Sequence, residues 1–286
     1  MPRANQTKSR KKKDKDKKRK KAGGRTAATS DRHELYELSV QEPESEVELI
    51  EQVWREQRNR PCRHIREDFC GTAVVCSEWV KRHAANTAIG VDLDRSVLAW
   101  SNDRQDSRLS AEERGRLTLL EGDVLKVLTD PVDSVLAMNF SYYLLRTREE
   151  MRAYFERARA ALVDDGLFLL DAYGGSDAFL ELEEEREIEG FTYVWDQHSY
   201  DPISGEAENF IHFRFPDGTE MHKAFEYPWR LWTLPEIQEL LREAGFADVK
   251  IYWEGTDDDG EGDGEWSEAT KGDADQGWVA YIVAMK

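Results

Sequence analysis

"REDFCGTAVV", residues 66–75, decides how the rest of the chain is read. A short strand candidate at 61–69 runs into a single glycine, Gly71, and then into "TAVVCSEWVKRH" (72–83), whose apolar spacing is helical. The next run, "TAIGVDLD" (87–94), reads as a buried strand and carries Asp92 twenty-one residues after Gly71. In doubly wound folds a glycine lets the strand-to-helix turn approach a ligand. An acid about 20 residues further on accepts hydrogen bonds from ribose hydroxyls.

Outward from that stretch the alternation continues. "PESEVELIEQVWREQR" (43–58) is an amphipathic helix through Val47, Ile50 and Trp54, and "RSVLAWSNDRQ" (95–105) is helical. "RLTLLEGD" (116–123) and "DSVLAMNF" (133–140) are strands that end near Asp123 and Asn139. "TREEMRAYFERARAALVDDG" (147–166) reads as one helix, with a Thr147/Glu150 capping box and Gly166 as its stop. "LFLLDAY" (167–173) is a strand. Strands alternating with helices predict an α/β fold: a doubly wound, mainly parallel, seven-stranded sheet with an antiparallel last strand. Asp92, Asp123, Asn139 and the Gly71 turn then share the carboxyl edge, where such sheets bind ligands.

The pattern changes after residue 190. "FTYVWDQHSY", "AENFIHFRF" and "EMHKAFEY" alternate apolar and polar residues around the turn signals "DPISG" and "PDGT". They predict an inserted antiparallel three-stranded meander, 190–229, whose aromatic face is suited to a lid. "TLPEIQELLREAGF" (233–246) returns to helix. "DVKIYWEG" and "GWVAYIVAMK" are the last strands, antiparallel neighbours around an acidic loop at 255–277.

Charge divides the chain. Overall it is −18, but residues 1–25 carry +11 and the remainder −29. Residues 1–30 read as a disordered basic tail, because a low-complexity lysine tract cannot repay its ordering entropy. Residues 31–286 form the folded domain. The tail offers weak contact with nucleic acid or acidic surfaces, while the acidic body repels phosphate backbones. No apolar run approaches the roughly 18 residues of a membrane helix, which predicts no membrane insertion. Three cysteines, Cys62, Cys70 and Cys76, do not make a disulfide framework and fit a cytoplasmic, reducing setting. With His64 they lack zinc spacing, so no metal is expected. Oligomeric state is not encoded legibly.

With these motifs in view, the sequence resembles the class I S-adenosylmethionine-dependent methyltransferases, a Rossmann-like superfamily, from about Tyr36 to residue 286. "EDFCGTA" is similar to the family's acidic residue followed by G-x-G-x-G: Glu67 matches the acid, Phe69 replaces the first glycine, Gly71 is the second, and Ala73 replaces the third. The resemblance implies S-adenosyl-L-methionine as cofactor, bound by Glu67, Phe69, Cys70 and Gly71, by Asp92 and Leu93 at the ribose, and by Asp123 and Val124 at the adenine. Asn139 falls where donor and acceptor meet. The inserted sheet before the penultimate helix resembles that of small-molecule methyltransferases, which implies methylation of a small-molecule acceptor at nitrogen or oxygen. Asn139, Tyr142 and Tyr143 are the candidate catalytic residues, and Tyr142 is expected to turn its hydroxyl toward the acceptor. Tyr36, Arg146, Tyr173, Arg230 and Trp232 are the candidate acceptor-binding residues, the arginines suiting a carboxylate. Two other readings stand beside this one: an RNA or protein methyltransferase docked through the basic tail, and a non-catalytic cofactor-binding module favoured by Phe69.

Overall fold

The structure, a computed structural model, describes residues 24–256 and 262–286. The basic segment 1–23 and residues 257–261 of the acidic loop lie outside the described residues. The described chain separates into two compact units.

The larger unit comprises Gln41–Leu180, Tyr200–Ala207 and Pro228–Lys286. Its sheet uses β1 (His64–Asp68), β2 (Thr87–Asp92), β3 (Leu117–Glu121), β4 (Val132–Ala137), β5 (Leu162–Gly174), β10 (Asp248–Thr256), β11 (Gly262–Ala269) and β12 (Trp278–Met285). The strand order is β11-β10-β12-β5-β4-β1-β2-β3. From β3 to β5 every pairing is parallel, and β12 lies antiparallel between β5 and β10. The doubly wound expectation holds, with eight strands instead of seven. The eighth is β11, antiparallel to β10, inside what reads in sequence as an acidic loop. Its "GDGEWSEA" has too few apolar residues to register as a strand, and mostly exposed side chains are what an edge position tolerates.

Five longer helices pack on this sheet: α2 (Pro43–Gln57), α3 (Val74–Arg82), α4 (Arg95–Arg108), α6 (Arg148–Ala160) and α7 (Leu234–Glu243); the one-turn α5 (Ala111–Arg114) precedes β3. Proline opens α2, and Val47, Ile50, Val53 and Trp54 form its buried face. Capping boxes, Thr147 with Glu150 and Thr233 with Glu236, start α6 and α7. The 147–166 helix is shorter than expected. It stops at Ala160, and "LVDDG" belongs to β5, where the β4 pairing shifts register. Arg60 explains the bulge: its guanidinium grips Asp165 with two nitrogens and Asp133 of β4 with the third. β4 is buried at all six positions, as a strand covered on both faces must be.

The smaller unit contains the described residues up to Val40, together with Glu181–Ser199 and Glu208–Tyr227. Its sheet has four strands, not three, in the order β6-β7-β8-β9: β6 (Leu182–Ile188), β7 (Phe191–Tyr200), β8 (Glu206–Arg214) and β9 (Glu220–Arg230). The charge-rich "LEEEREI" hid β6, which pairs antiparallel with β7 in full register. Phe191, Ile211, Phe213 and Phe215 pack with Leu35 of α1 (Arg32–Ser39), a helix capped by Asp31.

Candidate functional site

β1 leaves the sheet through a turn in which alternate residues are left-handed: Phe69 at φ 58, Gly71 at 52 and Ala73 at 56. These are the three glycine positions of the motif, and the backbone keeps the glycine conformation at two of them without glycine. Each non-glycine residue there stores about 1 kcal/mol or more. Packing offsets it: the Phe69 ring sits edge-on to Tyr154 at 5.5 Å, and Tyr154 donates to Asp68 at 3.1 Å. Cys70 is buried, donates its N–H to Val91 and lies against Gly90, where a Cβ would come within 2.8 Å of its sulfur. Gly71 is different. A Cβ built on it meets nothing within 4 Å, so the space over the turn is open.

Asp92 ends β2 beside this turn. One carboxylate oxygen accepts from the Gly71 N–H at 2.7 Å and the other from the Asp94 N–H at 2.8 Å. Burial raises its pKa above the ordinary aspartate value. Leu93, next to it, is exposed. Asp123 accepts from the Leu125 N–H and pairs with Lys126 at 2.8 Å, which holds its carboxyl below the usual range. Val124 is buried.

β4 leaves the sheet through a second left-handed stretch, Asn139 at φ 56 and Phe140 at 55. Their N–H groups both point at Asp171 of β5, at 2.7 and 2.9 Å. Asp171 is buried, and desolvation lifts its pKa to about 7 even against those two hydrogen bonds. Glu67, also buried, accepts from the Cys76 N–H at the start of α3 and is likewise raised to about 7 by burial.

Tyr142 and Tyr143 do not occupy the positions expected of catalytic groups. Both rings are fully buried. The Tyr142 hydroxyl donates to the Asp171 carbonyl at 2.6 Å, and the Tyr143 hydroxyl to the Trp232 carbonyl at 3.3 Å. Burial pushes both pKa values well up. The short 3-10 turn Ser141–Leu144 directs both side chains inward, so they brace the β4 exit. The spacing in "NFSYY" carried no information about that direction.

Tyr173, Arg230 and Trp232 are brought together. They line a cavity of about 610 Å³ with Phe179, Tyr200 and Trp278. The Tyr173 ring lies 4.8 Å from Phe140, linking the cavity to the β4 exit. Arg230 stacks over Trp232 at 3.8 Å and is tied to Glu236 and to the Arg146 carbonyl. Arg146 itself is surface-exposed and paired with Glu206 at 3.1 Å. Tyr36 belongs to the smaller unit, where it packs on Phe225 at 4.9 Å. In that unit His212, Glu220 and His222 approach one another closely. Both His212 nitrogens are committed, however, to the Lys223 N–H and to Asp196, so the group reads as structural.

Two buried acids escape the sequence motifs. Asp171 stands as an acid inside the apolar run "LFLLDAY", and Glu46 stands on the apolar stripe of α2, four residues before Ile50. A charge on a buried face is the signal that would have marked both.

No family model matches this sequence, and no curated protein matches it. Solved structures do. An S-adenosylmethionine-dependent methyltransferase from Clostridium acetobutylicum aligns over 88% of this chain and 96% of its own, with TM-score 0.65 and 14% identity. An amino pentose methyltransferase from Micromonospora echinaspora, solved with bound S-adenosylmethionine, covers 88% and 94% at TM-score 0.62 and 18% identity. A sugar N-methyltransferase from Streptoalloteichus covers 90% and 93% at TM-score 0.61 and 18% identity. The chain has the class I methyltransferase fold.

Proposed function

We propose that this chain is an S-adenosylmethionine-dependent methyltransferase that methylates a small-molecule acceptor at nitrogen or oxygen. The observation that carries the reading is the order of features along one sheet edge. An open glycine turn and a ribose-type acid stand at β1 and β2. A walled, aromatic cavity stands at β5, and the β4 exit lies between them.

The residues fit the cofactor. Asp92 keeps two oxygens at a partly exposed strand end, Gly71 leaves room over the backbone, and Leu93 offers exposed apolar surface beside them. When bound, S-adenosylmethionine supplies a methyl group on a cationic sulfonium. The chain's own part is to bind, orient and exclude water. Asp171 fixes the Asn139–Phe140 backbone and so presents the Asn139 side chain, the remaining candidate for contact with reacting groups, in one orientation. Tyr173 and Trp232 desolvate the acceptor, which favours a transfer that disperses charge. Glu236, the carboxylate on the cavity wall, is committed to Arg230 and Thr233. The walls therefore position an acceptor and do not take a proton from it. An amine would enter neutral and lose its proton to solvent.

Among the structural neighbours, the sugar N-methyltransferase supports nitrogen and the amino pentose methyltransferase supports an amino-bearing small molecule. The test is mass spectrometry of a metabolite extract incubated with the protein and isotopically labelled S-adenosylmethionine. The expected result is one labelled small molecule. Label found on RNA or protein alone, and lost when residues 1–25 are removed, would replace this reading with docking through the basic tail.

A further inference from the structure

The cavity at the β5 exit measures about 610 Å³, and all of its lining belongs to the larger unit. That is room for a whole small molecule. Its two ionic residues, Arg230 and Glu236, face each other at 3.3 Å, and each has a further partner: Arg230 donates to the Arg146 carbonyl, and Glu236 accepts from the Thr233 N–H. The small hydroxyls of the wall are committed as well. Ser176 donates to Asp177, Ser204 to Asp201 and Thr233 to Glu236, and the Ser204 and Thr233 oxygens in turn accept backbone N–H groups. A charged or polyhydroxylated acceptor would give up more hydrogen bonds to water than this wall returns.

What the wall leaves open is apolar. Ile203 is 96% exposed and Phe179 46%, and both line the cavity. The fold does not need an apolar residue at 203. The turn 201–205 is already fixed by the Asp201 carboxylate, which accepts from the Ile203 N–H at 2.9 Å, and by Gly205, which donates to the Asp201 carbonyl at 2.8 Å and sits at φ 76. Phe179, on the 3-10 turn Asp177–Phe179, stands edge-on to Tyr200 at 5.1 Å. Exposed apolar side chains gathered on an aromatic cavity mark a surface that a ligand covers. We propose that the acceptor is an apolar, ring-bearing amine rather than a sugar, and that Phe179 and Ile203 select it. The proposal rests on the methyl-transfer reading above. The body of the molecule enters because leaving water is favourable for it, and its nitrogen is the one polar group the site must accommodate. In this the chain parts from the amino pentose methyltransferase that it resembles in fold.

The test incubates the full chain with isotopically labelled S-adenosylmethionine and a metabolite extract and runs the labelled product on a reversed-phase column. The product is expected to be retained, as tryptamine is, and not to elute in the void with glucosamine. With the unmethylated parent of that product as substrate, Ile203→Ser and Phe179→Ser are each expected to raise its KM ~10-fold, with kcat within about twofold of wild type. An unchanged KM for S-adenosylmethionine doubles as the check on folding. Leu128→Ser, at a leucine 82% exposed and outside the cavity, should change none of these values. A labelled product in the void, an unchanged acceptor KM in both variants, a fall in kcat without a rise in KM, or the same rise in Leu128→Ser would overturn the proposal. A wild-type chain that labels nothing, or labels only RNA or protein, would instead remove the small-molecule reading on which it rests.

Discussion

At the end of β1 the Gly71 N–H reaches Asp92 on the neighbouring strand; at the end of β4 the Asn139 and Phe140 N–H groups reach Asp171 on the neighbouring strand. Both turns hold left-handed residues, and both are pinned by a carboxylate from next door. They differ in what remains afterwards. Asp92 is partly exposed beside a residue with no side chain, so a ligand can compete for its oxygens. Asp171 is sealed, with two backbone donors on it and the Tyr142 hydroxyl on its own carbonyl. One local device serves binding where it is left open and rigidity where it is closed.

The sharpest way to break that comparison is to remove the closed carboxylate. Asp171→Ala frees two buried N–H groups in a strained backbone and is expected to cost about 3–5 kcal/mol in urea unfolding, with loss of acceptor methylation. An effect below about 1 kcal/mol would mean that the β4 exit holds its shape without Asp171.

The second test concerns protons. Glu67 titrates near 7 when folded against about 4.5 unfolded, so the folded state binds the proton more tightly. Its contribution is therefore present below pH 4.5 and is lost as the pH rises through about 7, a decline on the order of 3 kcal/mol. Asp171 adds a slope of the same sign. Glu67→Gln, neutral at every pH, should flatten part of the decline and be more stable than wild type at pH 8. Parallel stability profiles for the two proteins from pH 5 to 8 would contradict the burial argument.

The third test opens the other turn. Asp92→Ala should weaken S-adenosylhomocysteine binding ~10- to 100-fold, because a charged acceptor for two hydroxyls is lost, at a stability cost of only about 1 kcal/mol. If stability fell as far as in Asp171→Ala, the two carboxylates would have the same role and the contrast would collapse. The smallest effect is expected at Ala73. Ala73→Gly relieves a left-handed alanine but loses a buried methyl and adds unfolded-state entropy, so unfolding should shift by less than ~0.5 kcal/mol. Ala73→Val, β-branched at the same φ, should cost about 2 kcal/mol or more.

The parallel half of the fold was legible in sequence because β2 to β5 carry apolar runs, the charged β1 leads straight into the Gly71 turn, and each helix carries its own cap or stripe. β6 and β11 were not, since "LEEEREI" and "GDGEWSEA" are exposed strands held by pairing rather than by burial. The site divided similarly. Gly71, Asp92 and Asp123 stand at strand ends that periodicity locates. The inward turn of Tyr142 and Tyr143 depends on where Asp171 and Trp232 arrive from 29 and 89 residues away, and no local pattern encodes that. Tyr173, Arg230 and Trp232 do share one cavity, yet Arg230 spends its guanidinium on Glu236, the Arg146 carbonyl and the Trp232 ring.

The position of β12 has a consequence for the history of each molecule. It follows every other strand of the large sheet in the chain, yet it lies between β5 and β10 and pairs with both. A ribosome delivers it after both of its neighbours. Until then β5 presents an unpaired flank of Leu167–Gly174, and β10 can pair only outward, with β11. The growing chain therefore carries an apolar gap through the middle of its main sheet, the kind of edge that recruits strands from other chains. Assembly is completed by inserting a centrepiece rather than by adding a border, and the yield of native protein should depend on how well that gap is shielded during synthesis.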